Sequence, residues 1–424
     1  MIGVATLIVF AIMQVRAIRR PGVAVALLLL FFSGKQLIQV SFPFFMEHGP
    51  VLNIVVFGGL GLIWAYRAVR GRAELMLGIP REYGFHLIFF GLAMFSLLWS
   101  LDPDAWSHLF DGAPNILVFS LVVPSLIAST RGISEAYRWV TWVGAAMCIV
   151  CLALPESISD SRLFLVAEME AGGQRGLNPL AIGEMGAFTT IAAAFGEHPR
   201  RRIISMLRLM AGVAGLLVVG RSSRGDLFAA LVSLGIFGLI PSSAAKGNTG
   251  RRLAAGLVVV AAGAVVLYYG LFLTDYWVRY ADISHDEGTL ARQEMIGGVL
   301  SYYLDHPSTW LFGSGWGSSY AIVGFYPHNG AVQALVELGL IGATLWWSSV
   351  VSVFARGIRL ARMANRTGSR SLDVFRPALA FMLCSLLGNM KAGDCVDVFL
   401  ALNLATTSQL IRRFRSDSEK GVFR

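Results

Sequence analysis

The sequence predicts an all-α polytopic membrane protein, a bundle of about 12–13 transmembrane helices with an extracytoplasmic helical cap loop. Three observations predict it. Of 424 residues, 55% are hydrophobic and only 14% charged, whereas soluble domains seldom exceed half apolar. Apolar runs near the ~20 residues that cross a bilayer recur from end to end. The segments between them alternate in charge, with most Lys and Arg on one side.

The apolar runs occupy roughly 2–15, 22–46, 50–66, 83–101, 114–130, 138–155, 179–196, 203–220, 227–241, 253–274, 329–354, 377–390 and 396–411. The last two are short and read either as one broken helix or as two tilted ones. Loops at 16–20, 67–81, 131–138, 197–208, 242–252, 356–376 and 412–424 hold 27 of the 35 Lys and Arg. The positive-inside bias places those loops in the cytoplasm, so the net charge of +9 reports topology and not a nucleic-acid footprint. The first fifteen residues lack a basic leader and a small-residue cleavage site, and read as a retained span. Cys148, Cys151, Cys384 and Cys395 form no disulfide framework; Cys148-x-x-Cys151 reads as two small hydrophobes or, alternatively, as a metal pair. The whole chain, 1–424, reads as a single integral membrane domain.

Eight cations escape the basic loops: Lys35, Arg162, Arg175, Arg221, Arg224, Arg279, Arg292 and Lys391. The charge bias works against them, so each needs a reason to be there. In "VVGRSSRGDLFAALVSLG" Arg221 and Arg224 bracket two serines before a new helix. The free N–H groups and positive end of a helix suit an anion. Two arginines beside it suit a diphosphate through forked hydrogen bonds.

Two outer connections are long. Residues 156–178 end in a glycine-rich turn carrying Arg175 and Asn178-Pro179. Residues 275–328 exceed a plain connector. Within them "HDEGTLARQEMIGGVLSYYLDHP" reads as an amphipathic helix, with Ile296, Val299, Leu300 and Tyr303 on its apolar side and Pro307 as its stop. A "GSGWG" turn follows. Arg292 and His328 stand at the two ends of this cap. "FYPHNGAVQALVELGLIG" then opens a span with His328 and Asn329 at its mouth and Gln333 and Glu337 on one helical stripe.

Each feature also has a plainer account. Arg221 and Arg224 can snorkel to headgroups, Arg292 can sit on a solvated face, and His328 can cap a helix. Gln333 and Glu337 can be interhelical glue. Lys35 and Glu184 read as a structural pair or a proton path. Asp102-Pro103-Asp104 reads as a turn or as a metal site. No His/Cys/carboxylate cluster has ligand spacing, so no metal and no cofactor is expected. Taken together, the arginines and His328 make an anion site with a base. That is what glycosyl transfer from a lipid diphosphate needs: cations for the leaving group and a near-neutral base for a weakly acidic hydroxyl.

"SSRGDLFAAL", "TLARQEMIGGVL", "FGSGWGSSY" and "HNGAVQALVELGLIG" occur in the order seen in the O-antigen ligase and polysaccharide polymerase superfamily, which the chain resembles over most of its length and most strongly over about 220–345. "LLWSLDPDAWS" and "RGLNPLAIG" resemble upstream stretches of that family. The resemblance implies a metal-independent, inverting glycosyltransferase in the bacterial inner membrane with its site on the periplasmic face. Its donor is a glycan on undecaprenyl diphosphate. Its acceptor is lipid A–core or another glycan, with membrane lipid and polysaccharide assembly proteins as surroundings. By the same resemblance Arg224 and Arg292 bind the diphosphate and His328 activates the acceptor hydroxyl. Arg221, Arg175 and Asn329 join as substrate-binding residues, with Lys391 and Asp394 from the short "NMKAGDCVD" loop. A transporter or flippase of lipid-linked glycans is the alternative function.

Overall fold

The computed structural model describes residues 1–70, 79–127, 130–154, 158–159, 162–163, 165–168, 174–195, 202–238, 268, 287–367 and 374–419. Nearly all of the expected span at 253–274, together with Arg279 and the opening of the cap loop, lies outside them. The helices in chain order are α1 (Ile2–Arg19), α2 (Gly22–Ser41), α3 (Pro43–Glu47), α4 (Gly49–Val69), α5 (Arg81–Ser96), α6 (Ala105–Leu117), α7 (Val123–Ser125) and α8 (Thr130–Ala153). They continue as α9 (Pro179–Phe195), α10 (Arg202–Ser222), α11 (Arg224–Gly238), α12 (Glu287–Asp305), α13 (Ser318–Val323), α14 (Gly330–Thr367), α15 (Phe375–Ala392) and α16 (Val398–Glu419).

Among the described residues seven helical stretches are long and apolar enough to cross a membrane: α1, α2, α4, α5 with the turn after it, α8, α10 and α14. The protein is therefore an all-α polytopic membrane protein. Every expected apolar run within the described residues forms helix, and the last two form separate helices, α15 and α16. The run at 114–130 is interrupted. Pro114 removes a backbone donor inside α6, and the chain widens into a π turn at Val118–Val122 before α7.

Within the outer connection expected at 156–178 the described residues form two small antiparallel ladders: β1 (Ile158–Ser159) with β2 (Arg162–Leu163), and β3 (Val166–Glu168) with β4 (Gln174–Gly176); Gly172 and Gly173 of the expected turn lie outside the described residues. Leu163, Leu165 and Ala167 are all buried. That alternation of period two is a strand signal in the sequence.

The helices gather into two compact units, each built from separated stretches. The first comprises Met1–Glu74, Leu126–Ala281 and Leu360–Cys384; the second comprises Leu75–Ser125, Asp282–Arg359 and Ser385–Arg424.

In the first unit α2 is apolar on every side and buried along almost its whole length, as a central helix must be. Small residues let its neighbours close in. A Cβ on Gly186 of α9 would stand 2.7 Å from the Gly215 carbonyl of α10, and one on Gly215 would stand 2.6 Å from the Gly186 carbonyl. Thr190 bridges the same crossing, donating to the carbonyls of Gly186 (2.8 Å) and Gly212 (3.3 Å). This is the close backbone packing that membrane helices use where no hydrophobic gain between helices is available. Tyr137 and Phe188 both stack on Phe381 in the same core. Lys35 donates to Asn53 Oδ1 at 2.9 Å, giving this intramembrane cation a polar partner.

In the second unit the amphipathic stretch expected within the cap loop forms helix α12. Val299 and Tyr303 are buried with Val336 of α14, and Leu300 packs alongside. The apolar stripe read in the sequence is thus the face that docks.

Candidate functional site

The expected site residues fall on both units. Arg175, Arg221 and Arg224 belong to the first; Arg292, His328, Asn329, Lys391 and Asp394 belong to the second.

In the first unit, Arg221 lies in the last turn of α10, which ends at Ser222, and Arg224 opens α11, with Ser223 between the helices. Both arginines are half-buried, whereas Ser222 and Ser223 are wholly buried. The serines sit tightly against α9, because a Cβ on Gly183 would stand 2.7 Å from Ser223 Cβ and 2.7 Å from an Asp226 carboxylate oxygen. Asp226, buried in the first turn of α11, is the residue missed in the sequence reading: it places a carboxylate in the field of the helix end proposed to take an anion. Its signal was there, an acid two residues after Arg224. Arg175 is exposed on β4, opposite Ala167.

In the second unit, the mouth of α14 is built from unusual backbone. His328 takes φ 53°, the one positive φ outside glycine among the described residues. Asn329 accepts from the Val332 N–H at 3.1 Å and so caps α14, which commits the side-chain oxygen expected to meet substrate. Gly330 lies directly on Asn389 of α15, where a Cβ would collide with the side-chain amide. Asn389 in turn donates to the Asp394 carbonyl at 2.5 Å.

Below the mouth, Gln333 and Glu337 are almost fully buried. Glu337 accepts from the backbone N–H groups of Gly317 (2.9 Å) and Ser319 (3.2 Å) and from Gln333 Nε2 (3.1 Å). Gln333 Oε1 accepts from the Cys395 N–H at 3.0 Å. The pair therefore ties α14 to the glycine loop on one side and to the loop between α15 and α16 on the other. The expected interhelical glue is a latch between loops.

The latch continues at a break in α14. Gly339 adopts φ 69°, ψ −168°. The glycine loop fills the gap: Ser314 and Gly315 N–H groups donate to the carbonyls of Val336 (3.0 Å) and Glu337 (2.8 Å), and the Leu340 N–H donates to the Trp310 carbonyl at 2.8 Å. A broken span is tolerated only where protein satisfies its freed backbone groups, as here. The same loop holds residues 96–102. Ser96 Oγ accepts from the Trp316 N–H (2.9 Å), and Ser100 Oγ donates to the Trp316 carbonyl (2.7 Å). Asp102 forms the expected turn, with Oδ1 accepting from the Asp104 N–H (3.0 Å) and Oδ2 lying 3.5 Å from His108 Nε2.

Around His328 the rings of Tyr326 and Phe325 stand 4.4 and 5.2 Å away, centroid to centroid. Tyr320 stands 6.4 Å from Tyr326 and stacks on His108 at 4.5 Å. The Tyr326 phenol is pushed up to about 12, first by burial and then by the Asp394 carboxylate and other negative neighbours, while Arg292 pulls it down. His328 thus packs against a tyrosine whose ionisation feels both Asp394 and Arg292. Burial also raises the Asp394 carboxyl, against hydrogen bonds from the Val396 and Cys395 N–H groups. Asp397 accepts from the Leu400 N–H at 2.7 Å and caps α16. Lys391 is half-buried at the end of α15.

The chain matches no model of a known protein family, and no curated protein is similar to it.

Proposed function

We propose that the chain is a glycosyltransferase that takes a glycan from undecaprenyl diphosphate and either polymerises or ligates a surface polysaccharide, on the periplasmic face of a bacterial inner membrane. The observation that carries the reading is His328, held in a left-handed backbone against the Tyr326 ring, at a helix mouth that Asn389 ties to the Asp394 loop. The latch below keeps that candidate base from wandering. In this reading His328 takes the proton of the acceptor hydroxyl as its oxygen attacks the anomeric carbon. The bond to the diphosphate breaks, and the charge that develops there is stabilised by Arg292; the diphosphate-binding roles of Arg224 and Arg221 rest on the family resemblance alone. Arg175, Asn329, Lys391 and Asp394 are assigned to substrate binding, with Asn329 acting by shaping the mouth.

One observation favours the transporter or flippase reading. Transporters break helices near the membrane midplane beside a buried charge, and α14 is broken at Gly339 two residues after Glu337. Here, however, the break is filled by the chain's own glycine loop, which leaves the transferase reading ahead.

The test is reconstitution in liposomes with undecaprenyl-diphosphate glycan, with and without lipid A–core. A ladder of longer lipid-linked glycans means polymerase, and a single shift of lipid A–core means ligase. Arg224→Ala and Arg292→Ala should each slow product formation about a hundred-fold or more. Movement of lipid-linked glycan between leaflets without any product would establish the flippase instead.

A further inference from the structure

Three basic segments far apart in sequence meet on one buried carboxylate. Glu82, at the start of α5, is 2% exposed. Arg415 of α16 donates to its Oε1 at 2.8 Å, and the Arg356 guanidinium of α14 contacts the same oxygen. Arg356 is also within electrostatic reach of Arg415, Arg81 and Arg359. Arg356 and Arg415 thus share one carboxylate, with Arg81 next to it in sequence and Arg359 about one helical turn beyond Arg356, which leaves a positive surplus at this end of α5 and α14.

The two outer arginines continue into apolar surface. Arg81, Phe85 and Ile88 follow one another at helical spacing along α5, and all three are exposed. Arg359, Ala355 and Val351 do the same along α14. Each stripe has a cation at its end and grease along its length, the shape of a phospholipid: phosphate on guanidinium, acyl chain on the helix. A soluble anion would use the charge but not the stripes. The residues come from basic segments that the charge bias places on the cytoplasmic side, where anionic headgroups concentrate.

We propose that Arg81 and Arg359, braced by the Glu82–Arg356–Arg415 cluster, bind the phosphate of an anionic phospholipid whose chains lie along α5 and α14. Glu82 positions the inner arginines, and the outer pair meets the lipid. The site is independent of the transferase reading.

The experiment uses the full-length protein in detergent. Retention of added cardiolipin, phosphatidylglycerol or phosphatidylcholine is measured by native mass spectrometry, alongside thermal unfolding with each lipid and with inorganic phosphate. The wild type should retain the anionic lipids in preference to phosphatidylcholine. Arg81→Gln/Arg359→Gln should cut that preference by on the order of ten- to thirty-fold, the loss of two arginine–headgroup contacts. Arg81→Lys/Arg359→Lys, which keeps the charge, should retain most of the preference and serves as the folding control. Equal retention of anionic and zwitterionic lipid by the wild type, or an unchanged preference in the Gln variant, overturns the proposal. So does stabilisation by inorganic phosphate as large as that by lipid, which would make this a soluble-anion site.

Discussion

His328 combines a reactive side chain with a left-handed backbone that L residues adopt only at a cost of about 1–2 kcal/mol. Asn tolerates that conformation far better than a β-branched residue does. His328→Asn should therefore fold like the wild type, bind donor and lose turnover, whereas His328→Val should also melt earlier. Full turnover by the Asn variant in the liposome assay would remove the base role. Glu337 satisfies three donors in a buried setting. Glu337→Leu leaves them unpaired at about 1–3 kcal/mol each, and a clear drop in the thermal midpoint should follow; an unchanged midpoint with full activity would remove the latch. Asp394 gives a pH signature. Its folded carboxyl binds a proton more tightly than in the unfolded chain, so its contribution to stability is present at acid pH and lost as pH rises through the folded value. Asp394→Asn keeps an acceptor for the Val396 N–H and removes the charge. The variant should match the wild type in acid and equal or exceed it at alkaline pH, as read by thermal unfolding across the range.

At the scale of elements, the spans were legible because an apolar run long enough to cross a bilayer has few other uses. So was the cap helix, whose stripe of Val299 and Tyr303 docks as the periodicity required. The hairpin at 166–176 was obscured because one short alternating stretch carries little weight against a glycine-rich turn. Least legible was the partnership of "GSGWG" with α14. Sequence separation hides which backbone groups meet, and the break at Gly339 creates donors and acceptors that an unbroken helix would not offer. Gly313 and Gly339 face each other there, and a Cβ on Gly339 would stand 2.6 Å from the Gly313 nitrogen. Gly339→Ala adds both that clash and an unfavourable φ. We expect it to cost several kcal/mol and to expose residues 310–317 to hydrogen exchange and proteolysis, while α10, which belongs to the other unit, stays protected. Equal protection of the loop in the variant would contradict the interlock.

For the molecule as a whole, composition and charge alternation were enough for the class, since the positive-inside bias acts on all loops at once. The site was legible only in part. The sequence marks Arg224, Arg292 and His328 as cations out of place or at a helix mouth, but it does not show that Tyr326 packs on His328, nor that Asp226 is buried against Gly183 of α9. Each unit also draws on three separate parts of the chain. Neither can be cut out as a continuous segment.

The bond from the Cys395 N–H to Gln333 also fixes an order of events. A chain leaves the ribosome from its N-terminus, so the glycine loop emerges first, the broken helix next and the Cys395 loop later still. Gln333 must wait, half-served, until the segment that carries Cys395 has been inserted. A chain stopped after Ala392 would carry the expected arginines and the histidine, yet it should remain protease-sensitive around 313–337. Assembly thus has a built-in checkpoint: a chain that lacks the Cys395 segment cannot lock the mouth of α14.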